Sequence, residues 1–541
     1  MSQRFQTSDY PTGILGSMAV WMSLLLLTTG CDSTEPAVSD HAPAPITQQA
    51  QQQDARSADT LPERQDRGDS QNPSNKVGMQ EAKDTGSEQS TGNLQGESEG
   101  AGEGPKVAPL PVQFQGPDAE ARALKVDPER LKANGIRTIE GERLILHTDL
   151  PLDDELRSLP ELFEKATIQF CRYFEIQLDD IGQWQVRACV IQEMDKFKNA
   201  GLLPQVLPPF KHGYALGDRV FLREQPSEYY RRHLLIHEGV HSFMLRFFKG
   251  AGPPWYMEGM AELLATHQWD GEKLTIRSFP ADKTEVPFWG RVKIIKDDVA
   301  AQKGKMIEEV MQYGSNAHLN VEAYGWSWAA TTFLDHHPEF QGTFRKHLDH
   351  AADSSPQFSL DLIEAYGEQW FRVRQQWQLF VMNMEYGYDI SREAIDDVDV
   401  QEFRGLPAQQ TLQVKADRGW QSTGLAVTKG MKIQLDASGR FVIHQPPEEL
   451  GKPDVEWESE PDGITLRYYK GNPLGKLLVA IDNLNQTGLT GLVSFAAIGS
   501  GGELEIPYDG VLYLRVNDSP AELEDNRGEI VVKLSLVNES E

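Results

Sequence analysis

The stretch "HLLIHEGVHSFML", residues 233–245, decides how this chain is read. It sets His237 and His241 four residues apart, with Glu238 directly after the first. In a helix, residues four apart lie on nearly one face, so both imidazoles can point at one ion. Glu238 falls on the adjacent side, within reach of a water on that ion. A catalytic zinc takes about three protein ligands and leaves a position open for water. The metal lowers that water's pKa, and a carboxylate takes its proton during attack on a carbonyl. The pentapeptide alone arises by chance in roughly 3% of chains of this composition, so its surroundings have to be weighed. Leu234, Leu235, Ile236, Val240, Phe243 and Met244 flank it with apolar side chains and predict a buried helix over 229–248. Two buried histidines and a glutamate without a partner would be costly, so a third ligand is expected.

It stands directly downstream in "PPWYMEGMAELLATH", residues 253–267. The prolines suit a helix start, and a helix is expected from about 254 to 268. Glu258 and Glu262 are four apart and share a face. One carboxylate can bind zinc while the other hydrogen-bonds a ligand histidine from behind. These residues resemble the gluzincin metallopeptidases, the thermolysin and aminopeptidase M1 type. There, His-Glu-x-x-His is followed by Trp-x-x-Glu-Gly-x-Ala-Glu. The resemblance covers roughly residues 205–340 and implies zinc held by His237, His241 and Glu258, with Glu238 as general base. Sixteen residues lie between His241 and Glu258, fewer than is usual there, which implies a short inter-helix loop, "RFFKGAG". That spacing leaves the choice of Glu258 or Glu262 as third ligand open, with Glu262 the ligand or its outer partner.

Two further parts of the resemblance can be placed. In gluzincins an edge strand before the metal helix binds the substrate backbone, and "HGYALGDRVFL", residues 212–222, stands in that place. Main-chain pairing of an extended peptide needs such an open edge. Developing charge on the attacked carbonyl needs a neutral donor. Tyr324, in "EAYGWSWAATTFLDHH", opens a helix of the kind that returns to the site in this family, and Tyr256 and His267 are its rivals. His233, one turn before His237, reads as a helix-start residue. His336 and His337 precede Pro338 and read as helix-end residues that complement the C-terminal dipole.

The rest of the chain sets the context. Its 541 residues leave room for two or three domains, and 39% hydrophobic residues with eleven tryptophans allow real cores. A formal charge of −29 argues against a nucleic-acid partner, whose phosphates want a basic surface. Near the N-terminus, "GILGSMAVWMSLLLLTTGC" is an apolar run ending at Cys31, too short for a comfortable membrane span. Its ending resembles a bacterial lipoprotein signal. That implies residues 1–31 as signal peptide, lipidation of Cys31, attachment to a membrane through the lipid, and an exported address in the cell envelope. Residues 32–110 are polar and free of aromatics, and they are expected to be a disordered tether. Two cysteines remain, Cys171 and Cys189, as a disulfide or as two buried thiols.

Residues 111–400 read as α+β, a small mixed sheet plus helices, which with the gluzincin resemblance makes a zincin-like metallopeptidase domain. "IRTIEGERLILHTDLP" alternates as a strand pair, "WQVRACVIQ" and "GYALGDRVFLRE" read as one strand each, and 305–395 as mostly helix. From 405 to 541, short alternating runs parted by Gly, Asp and Asn predict an all-β sandwich. Within it, Asp518, Glu522, Asp525 and Asn526 cluster in one loop. Calcium takes about six to eight oxygen ligands, and such a loop between strands is a candidate site. "WQSTGLAVTKGMKIQLDASG" with "YLRVNDSPAELEDNRGEI" resembles the calcium-dependent galactose-binding lectins of the LecA type. This implies calcium on Asp518, Asp525 and Asn526, with Glu522 where those lectins use a main-chain oxygen, and a carbohydrate or glycoprotein partner. The expectation is a lipid-anchored zinc metallopeptidase acting on a peptide or protein. The alternative is a cell-surface carbohydrate-binding or adhesion protein in which the zinc domain is structural.

Overall fold

The structure is a computed structural model that describes residues 126–537 apart from 397, 408, 445–454 and 484–487. The expected signal peptide, Cys31, the expected tether over 32–110 and the start of the first folded region lie outside the described residues. Those described fall within one compact unit. Among them, no helix is long and apolar enough to cross a membrane. The chain is α+β up to Glu393 and mostly β from Gln401 onward.

The first region is built on a five-stranded sheet. Strands β1 (Arg137–Glu140), β2 (Leu144–Thr148), β3 (Val186–Ile191), β4 (Gly213–Leu216) and β5 (Arg219–Arg223) lie in the spatial order β1-β2-β3-β5-β4. The centre is parallel and both outer pairs are antiparallel. "GYALGDRVFLRE" is therefore two strands, not one. Gly217 takes φ 59°, a left-handed conformation, and folds the segment back on itself. The hairpin leaves β4 at the edge, with one side of its backbone unpaired within the sheet.

Helix α1 (Asp154–Tyr173) and helix α2 (Glu228–Phe248) pack on one face of this sheet. Asp153 caps α1 by accepting from the Leu156 amide at 2.8 Å, and Ser227 caps α2 through the Tyr230 amide at 3.1 Å. Leu156, Leu159, Phe163 and Phe170 form the apolar stripe of α1 and are fully or almost fully buried. Phe170 and Trp184 meet Phe243 of α2 at centroid distances of 5.6 and 5.3 Å. Removing a ring such as Phe243 from this core costs about 3–5 kcal/mol. Gly239 is what lets the two helices close. A Cβ there would stand 2.4 Å from the Phe163 ring.

Cys171 lies on α1 and Cys189 on β3, and both are free and buried. Strand alternation explains why no disulfide joins them. Ala188 and Val190 point into the core that holds α1, while Cys189 and Ile191 point to a separate cluster across the sheet. Burial pushes the Cys189 thiol up to about 12, so it is inert.

After α2, a five-residue link, 249–253, leads into α3 (Pro254–Ala265). Part of "RFFKGAG", Arg246–Phe248, is thus still helix. The expected helix over 254–268 is shorter in fact. It stops at Ala265, and β6 (His267–Trp269) follows, paired with β7 (Leu274–Ile276). Further on come α4 (Arg291–Ala300) and α5 (Val321–His336). Helix α5 lies flat on α3 because Gly259 has no side chain. A Cβ there would meet Thr331 Cγ2 at 2.4 Å, and the Thr331 hydroxyl donates to the Gly259 carbonyl at 2.8 Å.

Among the described residues, the β region holds two two-stranded pairs and two larger sheets over one apolar core. One runs, in spatial order, Phe495–Ala497, Leu477–Asp482, Gly510–Val516, Gln421–Val427 and Gln401–Glu402. The other runs Gly501–Glu505, Lys432–Ser438, Glu529–Leu536 and Gln409–Lys415. The first of these sheets is joined to helix α6 (Trp370–Met382) by buried polar contacts. Gln378 accepts from the Thr490 amide at 2.7 Å, and Gln375 donates to Asp482.

Candidate metal centre

The helix α2 places His237 and His241 one turn apart, and their Nε2 atoms stand 3.2 Å from each other. Glu258, on the second turn of α3, brings Oε2 to 3.2 Å from His237 Nε2 and 3.5 Å from His241 Nε2. A tetrahedral zinc with ligand bonds near 2.1 Å has ligand–ligand edges of about 3.4 Å. The three atoms therefore fit one face of such a coordination shell. Their chemistry fits too. Glu258 Oε2 is buried and accepts no hydrogen bond, and the two imidazole nitrogens face it and each other. All three side chains are buried. Burial works against the charge on Glu258, yet the two imidazoles hold its carboxyl well below its ordinary value. Burial would lower His237, and the carboxylates of Glu258 and Glu262 raise it instead. Such a cluster could hold a metal ion.

Glu262 takes a different place. Its Oε1 stands 3.4 Å from Nδ1 of His237, on the far side of the ring from Glu258. The sequence left the two carboxylates open. The geometry puts Glu258 with the two Nε2 atoms and Glu262 behind His237. Arg291 and Trp289, which sequence reasoning missed, hold Glu262 from the other side. His233 was missed in another way. It is not a helix-start residue but lies in the second turn of α2, fully buried, with Nδ1 on the Ala265 carbonyl at 3.1 Å and Nε2 3.3 Å from Glu262. Its spacing of four from His237 was the available signal.

Glu238 lies between α2 and the edge strand. The Ala215 amide of β4 hydrogen-bonds its carboxylate, and burial raises its pKa above the ordinary range. Gly213, also on β4, makes the approach possible, since a Cβ there would stand 2.4 Å from Glu238 Oε1. A glycine inside a strand is a sign of close approach and could have marked this position.

Tyr324, in the first turn of α5, brings its ring to 6.0 Å from that of His237. Burial, then the carboxylates of Glu258, Glu238 and Glu262, push its hydroxyl far above the ordinary tyrosine value. It stays protonated at any working pH. The two rivals are engaged elsewhere. Tyr256 packs against Phe344 and Phe358 in the apolar core. His267 stacks on Tyr229 at 4.6 Å, donates to the Ala265 carbonyl at 2.8 Å, and accepts from Arg232 at 3.3 Å.

At the end of α5, His336 Nδ1 meets the Thr332 carbonyl at 3.0 Å, and burial lowers the pKa of His336 and His337 alike. The His337 ring meets the Gln376 side chain at 2.9 Å rather than a helix-end carbonyl.

The acidic loop of the β region is split among partners. Asn526 donates to Asp518 Oδ2 at 2.8 Å, and both are buried. Asp525 pairs with His444 at 2.9 Å, and Glu522 pairs with Arg467. The three carboxylates do not converge. Among the described residues, the His, Cys, Asp and Glu groupings close enough to share an ion are those of α2 and α3. The loop also rests on the α+β region. The Asp389 amide donates to the Pro520 carbonyl at 3.0 Å, and the Ser519 hydroxyl donates to Glu385.

No protein-family model and no curated protein matches the chain. Among solved structures, it is similar over 24% of its length to a domain titled "EclA N-terminal domain; PllA-like lectin". That match covers 95% of the other chain at 20% identity, with a TM-score of 0.17.

Proposed function

We propose that this protein is a zinc-dependent peptidase, a zincin-like catalytic region followed by a β sandwich. The observation that carries the reading is the triangle of His237 Nε2, His241 Nε2 and Glu258 Oε2, with edges of 3.2, 3.2 and 3.5 Å. These three residues would hold the metal. Zinc at that place supplies a Lewis acid and a water of lowered pKa. Glu238 is the base that takes the water's proton, and burial brings its pKa closer to the working range. The free edge of β4 supports an extended peptide by main-chain pairing, beside the strand residue against which Glu238 rests. Tyr324 donates to the oxygen on which negative charge develops.

The substrate class is a peptide or protein. Placement in the cell envelope through a lipid on Cys31 belongs to the same proposal and rests on the N-terminal sequence. The alternative is the adhesion reading, with calcium on the 518–526 loop and a sugar bound there. The test is metal analysis of the purified chain together with peptide-library cleavage, with and without chelator. Stoichiometric zinc and chelator-sensitive cleavage support the peptidase. A chain that binds no zinc, or glycan binding that needs calcium with no cleavage, overturns it.

A further inference from the structure

Glu262 is 1% exposed, and five nitrogen atoms surround its carboxylate. Oε1 accepts from Arg291 Nη2 at 2.9 Å and faces His237 Nδ1 at 3.4 Å. Oε2 accepts from Arg291 Nε at 3.0 Å and Trp289 Nε1 at 3.2 Å, and faces His233 Nε2 at 3.3 Å. A glutamate has three side-chain torsions, so nothing in its own helix fixes the plane of its carboxylate. The guanidinium fork does fix a plane, because it engages both oxygens at once. The indole N–H fixes the second oxygen independently.

Arg291 and Trp289 are themselves braced. Arg291 Nη1 donates to the Trp289 carbonyl at 3.1 Å, and the Trp289 indole stands edge-on to Trp328 at 4.7 Å. The backbone that delivers them is strained. Phe288 takes φ 68°, which bulky residues avoid, and its side chain is 68% exposed, so no burial of its own accounts for the conformation. Such strain persists where the surroundings over-determine it, and here it turns Trp289 inward. The Ser227 hydroxyl, which caps the metal helix, donates to the Pro287 carbonyl at 3.2 Å and ties this turn to α2.

We propose that the turn from Phe288 to Arg291 is a positioning device for the metal centre. Arg291 and Trp289 act through Glu262 to hold the His237 ring with Nε2 towards His241 and Glu258. The inference rests on the reading that these three bind zinc. It adds two positioning residues that touch neither metal nor substrate. Groups that orient a metal-bound histidine are worth about 10- to 100-fold in metal affinity.

The test is zinc affinity by chelator competition, with the absorption spectrum of the cobalt-substituted protein as a report on ligand geometry. Trp289→Phe keeps an aromatic ring and removes the N–H. Arg291→Lys keeps the charge and removes the fork. Each is expected to weaken zinc roughly tenfold or more and to shift the cobalt bands. In a Glu262→Gln background each should add little, because the route through Glu262 is already cut. Wild-type affinity and spectrum in Trp289→Phe, or losses that add in full to that of Glu262→Gln, overturn the proposal. Melting of the metal-free variants separates misfolding, and if Arg291→Lys fails to fold, Trp289→Phe decides. A wild-type chain that binds no zinc sinks the peptidase reading instead, so the two failures are distinct.

Discussion

Glu258 and Glu262 lie one turn apart on α3 and address opposite nitrogens of the same imidazole. Glu258 Oε2 stands 3.2 Å from His237 Nε2, and Glu262 Oε1 stands 3.4 Å from His237 Nδ1. On the proposed reading, one helical turn separates a metal ligand from the group that orients another. The two should differ sharply on mutation. Glu258→Ala removes one of three ligands, and the purified protein should hold no stoichiometric zinc. Glu262→Gln should retain zinc with a dissociation constant raised about 10- to 100-fold. Equal zinc loss in both variants would show that the division of roles is wrong.

Glu238 touches the edge strand rather than the ligand triangle, so its role is separable from metal binding. Glu238→Gln keeps the shape and removes the base. Zinc content should match wild type, while turnover should fall by about 100- to 10,000-fold, the usual worth of a positioned base. Full activity on a cleaved peptide would exclude Glu238 as the base.

Gly213 is a position where strand and base lie too close for a side chain. An added Cβ would stand 2.4 Å from Glu238 Oε1, so Gly213→Ala must push the carboxylate or β4 aside. A displacement near 1 Å at a reacting group can cost about 100-fold in rate. The expected result is zinc at wild-type level with kcat lowered on that order. An unchanged kcat would mean that the strand yields freely and does not set the base.

How far the site could be read in the sequence depended on how local each feature is. The His237–His241 and Glu258–Glu262 pairs follow from helix period alone, and a helix period needs no tertiary knowledge. Arg291 and Trp289 reach Glu262 from a turn almost thirty residues later, and no local pattern announces that. Likewise the acidic loop looks like a ligand set because its oxygens are close in sequence. His444 and Arg467 arrive from other strands and pair with Asp525 and Glu522, which no local pattern announces. The β4–β5 hairpin looks like one strand in sequence because its turn, Gly217–Asp218, interrupts the alternation for only two residues.

Asp518 gives the β region a pH dependence of definite sign. Burial raises its carboxyl from 3.8 to about 7, against the opposing bonds from Asn526 and the Ser519 amide. Between those values the folded chain binds more protons than the unfolded chain, so stability falls as pH rises. The stabilisation is fully present below about 3.8 and lost through about 7. Asp518→Asn should remove this slope and raise the melting temperature at pH 8 relative to wild type, by an amount on the order of a few kcal/mol in stability. If Asp518 ligates calcium, millimolar calcium should restore wild type at pH 8 and leave the variant unmoved. Absence of both the slope and the calcium effect would count against a buried carboxyl of this kind.

The junction between the two regions rests on a buried pair. Arg515, on the strand Gly510–Val516, places Nη2 2.7 Å from Glu393 Oε1 and donates from Nη1 to Oε2 at 2.9 Å, with both side chains almost fully buried. The same Nη2 donates to the Asp518 carbonyl at 2.9 Å, so the pair also holds the start of the acidic loop. Breaking such a pair strands a charge in a dry site and costs about 3–5 kcal/mol, whereas replacing both partners with apolar groups is often close to neutral. Arg515→Met should therefore lower stability strongly in denaturant titration. Adding Glu393→Leu to it should recover most of the loss. A double variant no more stable than the single would mean that the junction depends on the hydrogen bond to Asp518 rather than on the ion pair.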